Sequence, residues 1–280
     1  MSEVADTHAD QHEDPMSHVP PPSFWPFIIG IALVAFMAGA VLTLPKVAAS
    51  VPISGVPVLI FGAVAVLFGL MGWGHQIIKE KRIAHDLMAQ QVDLKFFVKS
   101  FLVSELMAFS AIFAYFYLRT FFVAPDSFES PPGLHLGGSM VAFATFLLLS
   151  SSVTCEMAHH AVMHNQMGKA RMLMIATLVL GFIFLGFQGR EYGELITHGF
   201  WPLSMGEENP NTAFMATFFI STGFHGFHVL TGLVMLFLVY VRMEMGHFTQ
   251  KRHFSLVAAS WYWHFVDIVW VLLFITVYVV

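Results

Sequence analysis

Seven long apolar stretches constrain the fold of this 280-residue chain more than any other feature. A helix needs roughly 20 apolar residues to cross a hydrocarbon core about 30 Å thick. The stretches are too long and too uniformly apolar for barrel strands, which alternate between apolar and polar residues. The sequence therefore predicts an all-α membrane protein with seven transmembrane helices. The predicted spans are Phe24–Leu44, Val56–Trp73, Phe96–Phe122, Met140–Met163, Met172–Leu195, Thr212–Val241 and Ser255–Val280.

The composition agrees with a membrane protein and excludes several other classes. Only 11% of the residues are charged, against about 25% in soluble domains, and the mean hydropathy is +0.71. Thirteen Lys and Arg residues form no basic surface for nucleic acid. A single cysteine excludes a disulfide scaffold. The unusual feature is the fifteen histidines, which call for a test of haem and metal binding.

The chain divides into an acidic tail and a transmembrane domain. Residues 1–22 hold five acids and no Lys or Arg, which predicts a disordered tail rather than a cleaved signal peptide. Residues 23–280 form the seven-helix domain. Its second span is the shortest, and the tight loop before it predicts a hairpin of the first two helices. Ten of the thirteen Lys and Arg residues lie in the second, fourth and sixth loops, so the N-terminus is expected to be cytoplasmic and the C-terminus periplasmic.

Glu105 is the clearest ionisable residue at membrane depth, because it lies well inside the third span. A charge there costs about 2.5–3.5 kcal/mol on insertion scales, and no Lys or Arg lies three or four residues away. We therefore expect a protonated carboxyl. Two interpretations remain open. The carboxyl exchanges protons or locks the structure, or it bonds a neighbouring helix as part of the packing.

Five histidines within the spans suit bonding between helices: His159, His160, His225, His228 and His264. His264 and Asp267 share a helix face, which allows a bond that orients a metal ligand or, as we favour, neutralises two buried polar groups. Thr222 and Gly226, beside His225 and His228, form a pair of small residues that predicts the close approach of another helix. Arg190 and Glu194 are four residues apart at a helix end, which predicts an interfacial ion pair.

A metal or haem site is the alternative use of these histidines. Two stacked haems need two well-separated histidines along each of two helices, and no span has them. Copper or zinc needs three or four ligands at one depth, and only His225, His228, His264 and Asp267 can converge in that way. Since buried histidines more commonly tie helices together, we expect no metal in this chain.

Six ordered motifs resemble those of subunit III of the cytochrome c oxidases, members of the haem–copper superfamily. They are Ala259–Trp270, Thr222–Gly232, Ala158–Ala161, Ser104–Phe109, Gln188 with Glu191 and Tyr192, and Pro21–Pro26. The resemblance covers nearly everything after residue 19. It implies a seven-helix subunit without haem or copper, whose partners, subunit I as the main contact and subunit II, hold the haem and copper.

The resemblance also implies what such a subunit does and where it lies. It stabilises the complex, supports proton uptake into subunit I and protects the active site during turnover. It holds phospholipids in a cleft between the first two helices and the other five. The oxidase is an enzyme, but this chain has no catalytic residue, and the expected location is the cytoplasmic (inner) membrane of a bacterium.

Particular residues match the family's functional positions. Glu105 matches its buried, carbodiimide-reactive carboxyl. The residues that resemble its lipid-headgroup contacts are Trp73, Glu80, His85, Arg242, His247 and Phe248. Arg and His can bind phosphate, and Trp lies at headgroup level, so the set is chemically sensible.

The chain departs from the family at three places, one of which is the acidic tail without a family counterpart. Other functions also compete with the one implied. Cys155-Glu156-Met157 replaces an expected Trp and adds a second intramembrane carboxyl, while Arg190 replaces a small residue. The alternatives are subunit III of a related quinol oxidase, a metal- or haem-binding enzyme acting alone, and a proton or ion transporter that uses Glu105 and Asp267. The absence of internal repeats argues against the transporter.

Overall fold

The computed structural model describes residues 23–43, 50, 54–79, 87–123, 138–200, 212–249 and 253–279. The acidic tail lies outside these residues. The described residues form seven long helices and no strand. The helices are α1 (Trp25–Leu42), α2 (Gly55–Lys79), α3 (Leu87–Leu118), α4 (Ser139–Met163), α5 (Met167–Thr197), α6 (Thr212–Glu244) and α7 (Phe254–Phe274). Each is long and apolar enough to cross a membrane, which confirms the predicted fold class.

The helix lengths differ from the predicted spans because an apolar run does not define the whole helix. Helix α2 has 25 residues and α1 only 18, so the prediction that the second span is the shortest was wrong. Helix α2 continues through polar residues as far as Lys79, and α3 begins at Leu87, before its apolar run. Short π-helical turns, Arg119–Val123 and Ile275–Val279, extend α3 and α7.

The structure divides into two compact units, and the first, Met1–His85, contains the α1/α2 hairpin. Its helices approach closely at glycines. A Cβ atom added to Gly39 would lie 2.3 Å from the backbone nitrogen of Leu59. A Cβ atom on Gly62 would lie 2.4 Å from the backbone nitrogen of Phe36. The predicted hairpin is therefore present, and its helices touch backbone to backbone.

The second unit, Asp86–Val280, contains the other five helices. Helices α4, α5, α6 and α7 form a closed ring of neighbours, and α3 packs against α6 and α7. Helix α7 is the most buried, with half of its most apolar stretch inside the protein. The largest fully buried side chains include Trp263 and Trp270. The core of this unit is therefore aromatic and lies around α7.

Trp263 occupies a space that two glycines leave open. A Cβ atom on Gly232 would lie 2.8 Å from the indole ring, and one on Gly181 would lie 3.0 Å from it. By contrast, a Cβ atom on Gly226 would meet nothing within 4 Å. The predicted close approach at Gly226 was therefore wrong, since the close contact on α6 lies at Gly232.

Cys155 lies in the buried face of α4 and is 0% exposed. Its neighbours along that face include Leu148, Ser151 and Ala158, which are also 0% exposed. Small residues on this face leave room for the bulky side chains of α7. The thiol therefore packs as a small apolar group.

Candidate functional site

Glu105 on α3 meets His228 on α6. The carboxyl Oε2 lies 3.2 Å from the imidazole Nε2, and the two side chains are 22% and 6% exposed. The sequence showed no partner within α3, and the structure supplies one on a neighbouring helix. Both interpretations of Glu105 stay predictions, because a carboxyl in this position can be either a packing group or a proton-exchanging group.

The second nitrogen of His228 defines how this pair shares a proton. Nδ1 lies 2.8 Å from the carbonyl oxygen of Phe224, and a carbonyl can only accept, so Nδ1 carries a hydrogen. A neutral ring then accepts at Nε2, and Glu105 must be the protonated donor. If Glu105 is ionised, His228 is the imidazolium. The pair has no net charge in either state, which lowers the cost of its burial.

Aromatic rings surround the imidazole of His228. Phe224 and Phe109 lie 4.5 Å and 5.1 Å from it between ring centroids, and both contacts are edge-on. Tyr262 of α7 lies nearly parallel to the imidazole at 6.3 Å. These rings pack around the imidazole and hold its orientation toward Glu105.

His225 lies one turn before His228 and is 0% exposed. Its ring lies against Trp270 of α7, at 5.1 Å between centroids, and Phe184 of α5 meets it edge-on at 6.2 Å. Neither ring nitrogen has a hydrogen-bond partner among the described residues. His225 therefore joins three helices through its ring faces.

His264 and Asp267 are linked through a residue that the sequence did not single out. Ser152 of α4 donates a hydrogen bond to Asp267, and its oxygen lies 3.0 Å from Nδ1 of His264. Since the hydroxyl has one hydrogen, Nδ1 is the donor to Ser152. The two side chains thus meet through a shared hydroxyl on a neighbouring helix, and the neutralisation of two buried polar groups stays a prediction.

We name the polar contact line between these helices the α4/α7 seam. Its members occupy positions i, i+4 and i+7 on each helix, and they are Ser152, Glu156 and His159 on α4 and Ser260, His264 and Asp267 on α7. Glu156 Oε2 lies 3.4 Å from His264 Nε2, and Ser260 lies 3.4 Å from the same oxygen. Glu156 Oε1 lies 3.5 Å from His159 Nδ1. Glu156, the unexpected carboxyl, is therefore part of this line.

The adjacent histidines of α4 differ in their contacts. The ring of His159 lies 5.9 Å from that of His253, the residue before α7, so it contributes to a contact between helices. His160 is exposed and stacks on His164 at 4.1 Å, within the end of its own helix. The predicted interhelical contact of His160 was therefore wrong. Neighbouring residues point about 100° apart on a helix, so only one of the two faces α7.

A second polar group at the end of α5 was only partly predicted. Arg190 and Glu194 form the predicted ion pair, with 3.0 Å between Nε and Oε1. Glu191 accepts a hydrogen bond from Tyr278 at 2.9 Å. Tyr192 bonds Thr222 of α6 at 2.7 Å. Sequence reasoning noted Glu191 and Tyr192 as motif residues but missed Tyr278, which lies near the end of the last span.

The residues predicted to contact lipid headgroups lie partly within the described structure. The Arg242 guanidinium bonds Ser255 at 3.2 Å and lies over the ring of Phe248, 5.5 Å from its centroid. Phe248 is only 5% exposed, so the guanidinium packs over a buried ring. Gly246, with φ of +71°, turns the chain after α6 and places His247 on the exposed side.

The other members of the predicted lipid set belong to the first unit or are not described. Trp73 lies on α2 and is 38% exposed. Glu80 and His85 lie outside the described residues. The structure therefore gives side-chain contacts only for those members of the set that lie at the end of α6.

Among the residues that the structure describes, no group of three His, Cys, Asp or Glu side chains is arranged to hold a metal ion. The four residues that could in principle converge lie in separate contacts. His228 faces Glu105, His225 faces Trp270, and His264 and Asp267 face Ser152. These contacts define a class of protein, a polytopic helical membrane protein whose buried polar side chains join its helices.

Comparison with known proteins identifies the family within that class. The profile of the family described as cytochrome c oxidase subunit III matches residues 16–280. The chain is 33% identical to the cytochrome c oxidase subunit 3 of Marchantia polymorpha over 268 residues, which covers 93% of this chain and 95% of that protein. It is 31% identical to the cytochrome c oxidase subunit 3 of Latimeria chalumnae over 272 residues, 95% and 98% of the two chains. The chain therefore belongs to the cytochrome c oxidase subunit III family, and the resemblance seen in its motifs is confirmed.

Proposed function

We propose that this chain is the non-catalytic subunit III of a proton-pumping cytochrome c oxidase. In this role it stabilises the catalytic subunits, supports proton uptake into subunit I and protects the active site of subunit I during turnover. The observation that carries the proposal is that the polar groups within the spans bond to other helices of the chain. Glu105, His228, His264 and Asp267 bond to neighbouring helices, as expected of a structural subunit.

The proposal includes the surroundings of the chain. Subunits I and II are its partners and hold the haem and copper, and the chain spans a bacterial cytoplasmic membrane with its N-terminus in the cytoplasm. The distribution of Lys and Arg supports this orientation. The electron donor is chosen by subunit II. The names of the relatives favour cytochrome c over quinol as the donor.

Removal and return of the chain test the main proposal. The purified oxidase is stripped of this chain in detergent, and oxygen consumption is followed over many turnovers. We expect nearly the same initial rate, a faster loss of activity during turnover, and slower proton uptake, with recovery when the chain is added back. An oxidase that loses its haem or its initial activity at once, or whose lifetime is unchanged, would contradict the protective role.

Arg242 supports the lipid-binding part of the proposal. Its guanidinium is exposed, and Ser255 and Phe248 hold it at the end of α6. A guanidinium in a fixed position binds a phosphate through paired hydrogen bonds. Trp73, Glu80, His85 and His247 complete the proposed lipid-contacting set.

A matched pair of variants tests this lipid site. We expect Arg242→Ala to deplete phospholipid from the purified oxidase and to hasten inactivation during turnover, with little change in initial rate. Arg190→Ala is the control, because it removes an exposed guanidinium at the end of α5 that is paired with Glu194. Phosphorus analysis of the two complexes measures the difference. Equal phospholipid content would refute the assignment of Arg242.

A further inference from the structure

The α4/α7 seam has a buried inner side and an exposed outer side. Ser260 is 1% exposed and Asp267 is 4% exposed, so the inner side of the seam is closed. The His264 side chain is 34% exposed and that of Glu156 is 57% exposed. The seam therefore presents an imidazole and a carboxyl on the outer surface of the helix ring.

The exposed carboxyl lies at membrane depth. Glu156 is seven residues before Met163, where α4 ends, which is about 10 Å along the helix axis at 1.5 Å per residue. Val153 and Met157, on either side of it along α4, are 61% and 44% exposed. A half-exposed carboxyl in an apolar belt is costly unless another group covers it.

The described residues provide no permanent cation for this carboxyl. The ion-pair partners of Glu156 there are His159 and His264, which are charged only when protonated. Glu194, whose side chain is also 57% exposed, has Arg190 at 3.0 Å. The two carboxyls are equally accessible, but only Glu194 has its counter-charge within this part of the chain.

The hydrogen bonds of His264 also leave an acceptor on this surface. Since Nδ1 donates to Ser152, a neutral ring has its lone pair at Nε2, which lies 3.2 Å from the Ser260 hydroxyl and 3.4 Å from Glu156 Oε2. Asp267 Oδ1 is buried and has no hydrogen-bond partner among the described residues. On the exposed side, the single Ser260 hydrogen cannot serve both His264 Nε2 and Glu156 Oε2, so one of these two acceptors lacks it as a donor.

We propose that the exposed side of the α4/α7 seam is a docking site for a transmembrane helix of another oxidase subunit, which brings a Lys or Arg side chain to Glu156. This inference rests on the proposed function, because it needs a complex in which the chain is a subunit. Charge complementarity identifies the occupant. The depth of Glu156 favours a protein helix over a lipid headgroup, since headgroup cations lie at the membrane surface.

Photocrosslinking in the assembled oxidase tests the proposal without disturbing Glu156. Benzoylphenylalanine replaces Val153, which lies one turn from Glu156, and in a separate variant replaces Ile220 on α6, which is also 61% exposed. We expect the Val153 probe to label a transmembrane peptide of another subunit that contains a Lys or Arg, and the Ile220 probe not to label that peptide. Labelling of lipid alone at position 153 would overturn the proposal.

Charge reversal provides a second test. We expect Glu156→Lys to reduce the fraction of chain retained with the oxidase in mild detergent by about tenfold, because it places two cations together. Glu194→Lys makes the same change at equal exposure and should leave retention unchanged. Replacing the crosslinked Lys or Arg by Glu should restore retention of the Glu156→Lys chain. Equal retention of the two variants would contradict the proposal, and circular dichroism checks that both are folded.

These outcomes separate the docking site from the proposed function. If the wild-type chain does not purify with haem-containing subunits, the proposed function fails. If it does purify with them but the Val153 probe reaches only lipid, the docking proposal alone fails.

Discussion

The two units of the chain join their helices in different ways. In the α1/α2 hairpin, Gly39 and Gly62 bring backbones together, and a side-chain bond joins Ser23, just before α1, to Gln76 of α2 at 2.9 Å. In the five-helix unit, buried aromatic rings and several polar bonds cross from helix to helix. The difference shows that one membrane chain can use both known means of helix association, close packing of small residues and hydrogen bonding.

Removing one of the two largest core side chains should have the largest effect on the five-helix unit. Trp263 is 0% exposed and fills the space beside Gly181 and Gly232. We expect Trp263→Ala to lower the free energy of unfolding by about 3–5 kcal/mol. Unfolding of the full chain by SDS in mixed micelles, followed by circular dichroism, measures it. Trp73→Ala, on the exposed side of α2, is the control, and equal losses would contradict the aromatic-core description.

A single methyl group should disturb the hairpin. Gly39→Ala puts a Cβ atom 2.3 Å from a backbone nitrogen, and we expect a loss of about 1–3 kcal/mol from overpacking. Gly30→Ala in the same helix meets nothing within 4 Å and should be neutral or slightly stabilising. Hydrogen exchange of the α1 and α2 peptides measures the local effect. The glycine-contact description would be wrong if both variants exchanged at the wild-type rate.

Two serine variants compare how much a single hydrogen bond contributes to the stability of each unit. Ser151 accepts the indole N–H of Trp263 at 3.0 Å, so Ser151→Ala leaves a buried donor without its partner. We expect a loss of about 0.6–1.7 kcal/mol, the range found between membrane helices. Ser23→Ala removes a partly exposed bond of the hairpin and should change stability by less than about 0.5 kcal/mol. SDS unfolding of both variants measures the two losses, and a larger loss for Ser23→Ala than for Ser151→Ala would contradict this expectation.

The smallest effect on stability is expected at Glu105. The amide of Glu105→Gln can donate to His228 Nε2 as the protonated carboxyl does, so assembly and oxygen turnover should stay nearly at wild-type values. Glu105→Leu, which cannot donate, serves as the comparison and should be less stable. Assembly, turnover and proton pumping of the oxidase are measured together. Lost pumping with normal assembly in Glu105→Gln would identify a proton-transfer role.

The fold was predictable because span length and apolar content depend on local sequence alone. The same is true of the Arg190–Glu194 pair, since residues four apart meet on any helix. Contacts between helices depend on how each helix is rotated about its axis, which local spacing does not define. Ser152 is one of three consecutive serines, and only the packing of α4 against α7 shows that it bonds His264 and Asp267.

In the hairpin, the sequence likewise does not predict which residues make the contacts between helices. The short loop predicted that α1 and α2 pair, but nothing in the sequence distinguished Gly39, which touches α2, from Gly30, which touches nothing. Small residues are necessary for close approach but are not sufficient evidence of it. The same error occurred at Gly226.

The sheltered position of Cys155 has a practical consequence for measuring distances in this protein. It is the one cysteine of the chain and is 0% exposed in α4, so a spin label or fluorophore that reacts with thiols should leave the folded wild type unlabelled. A cysteine introduced at an exposed position would then carry the only label on this chain. Pairs of such positions on α5 and α6 would allow distances within the five-helix unit to be measured, with the native residue left in place.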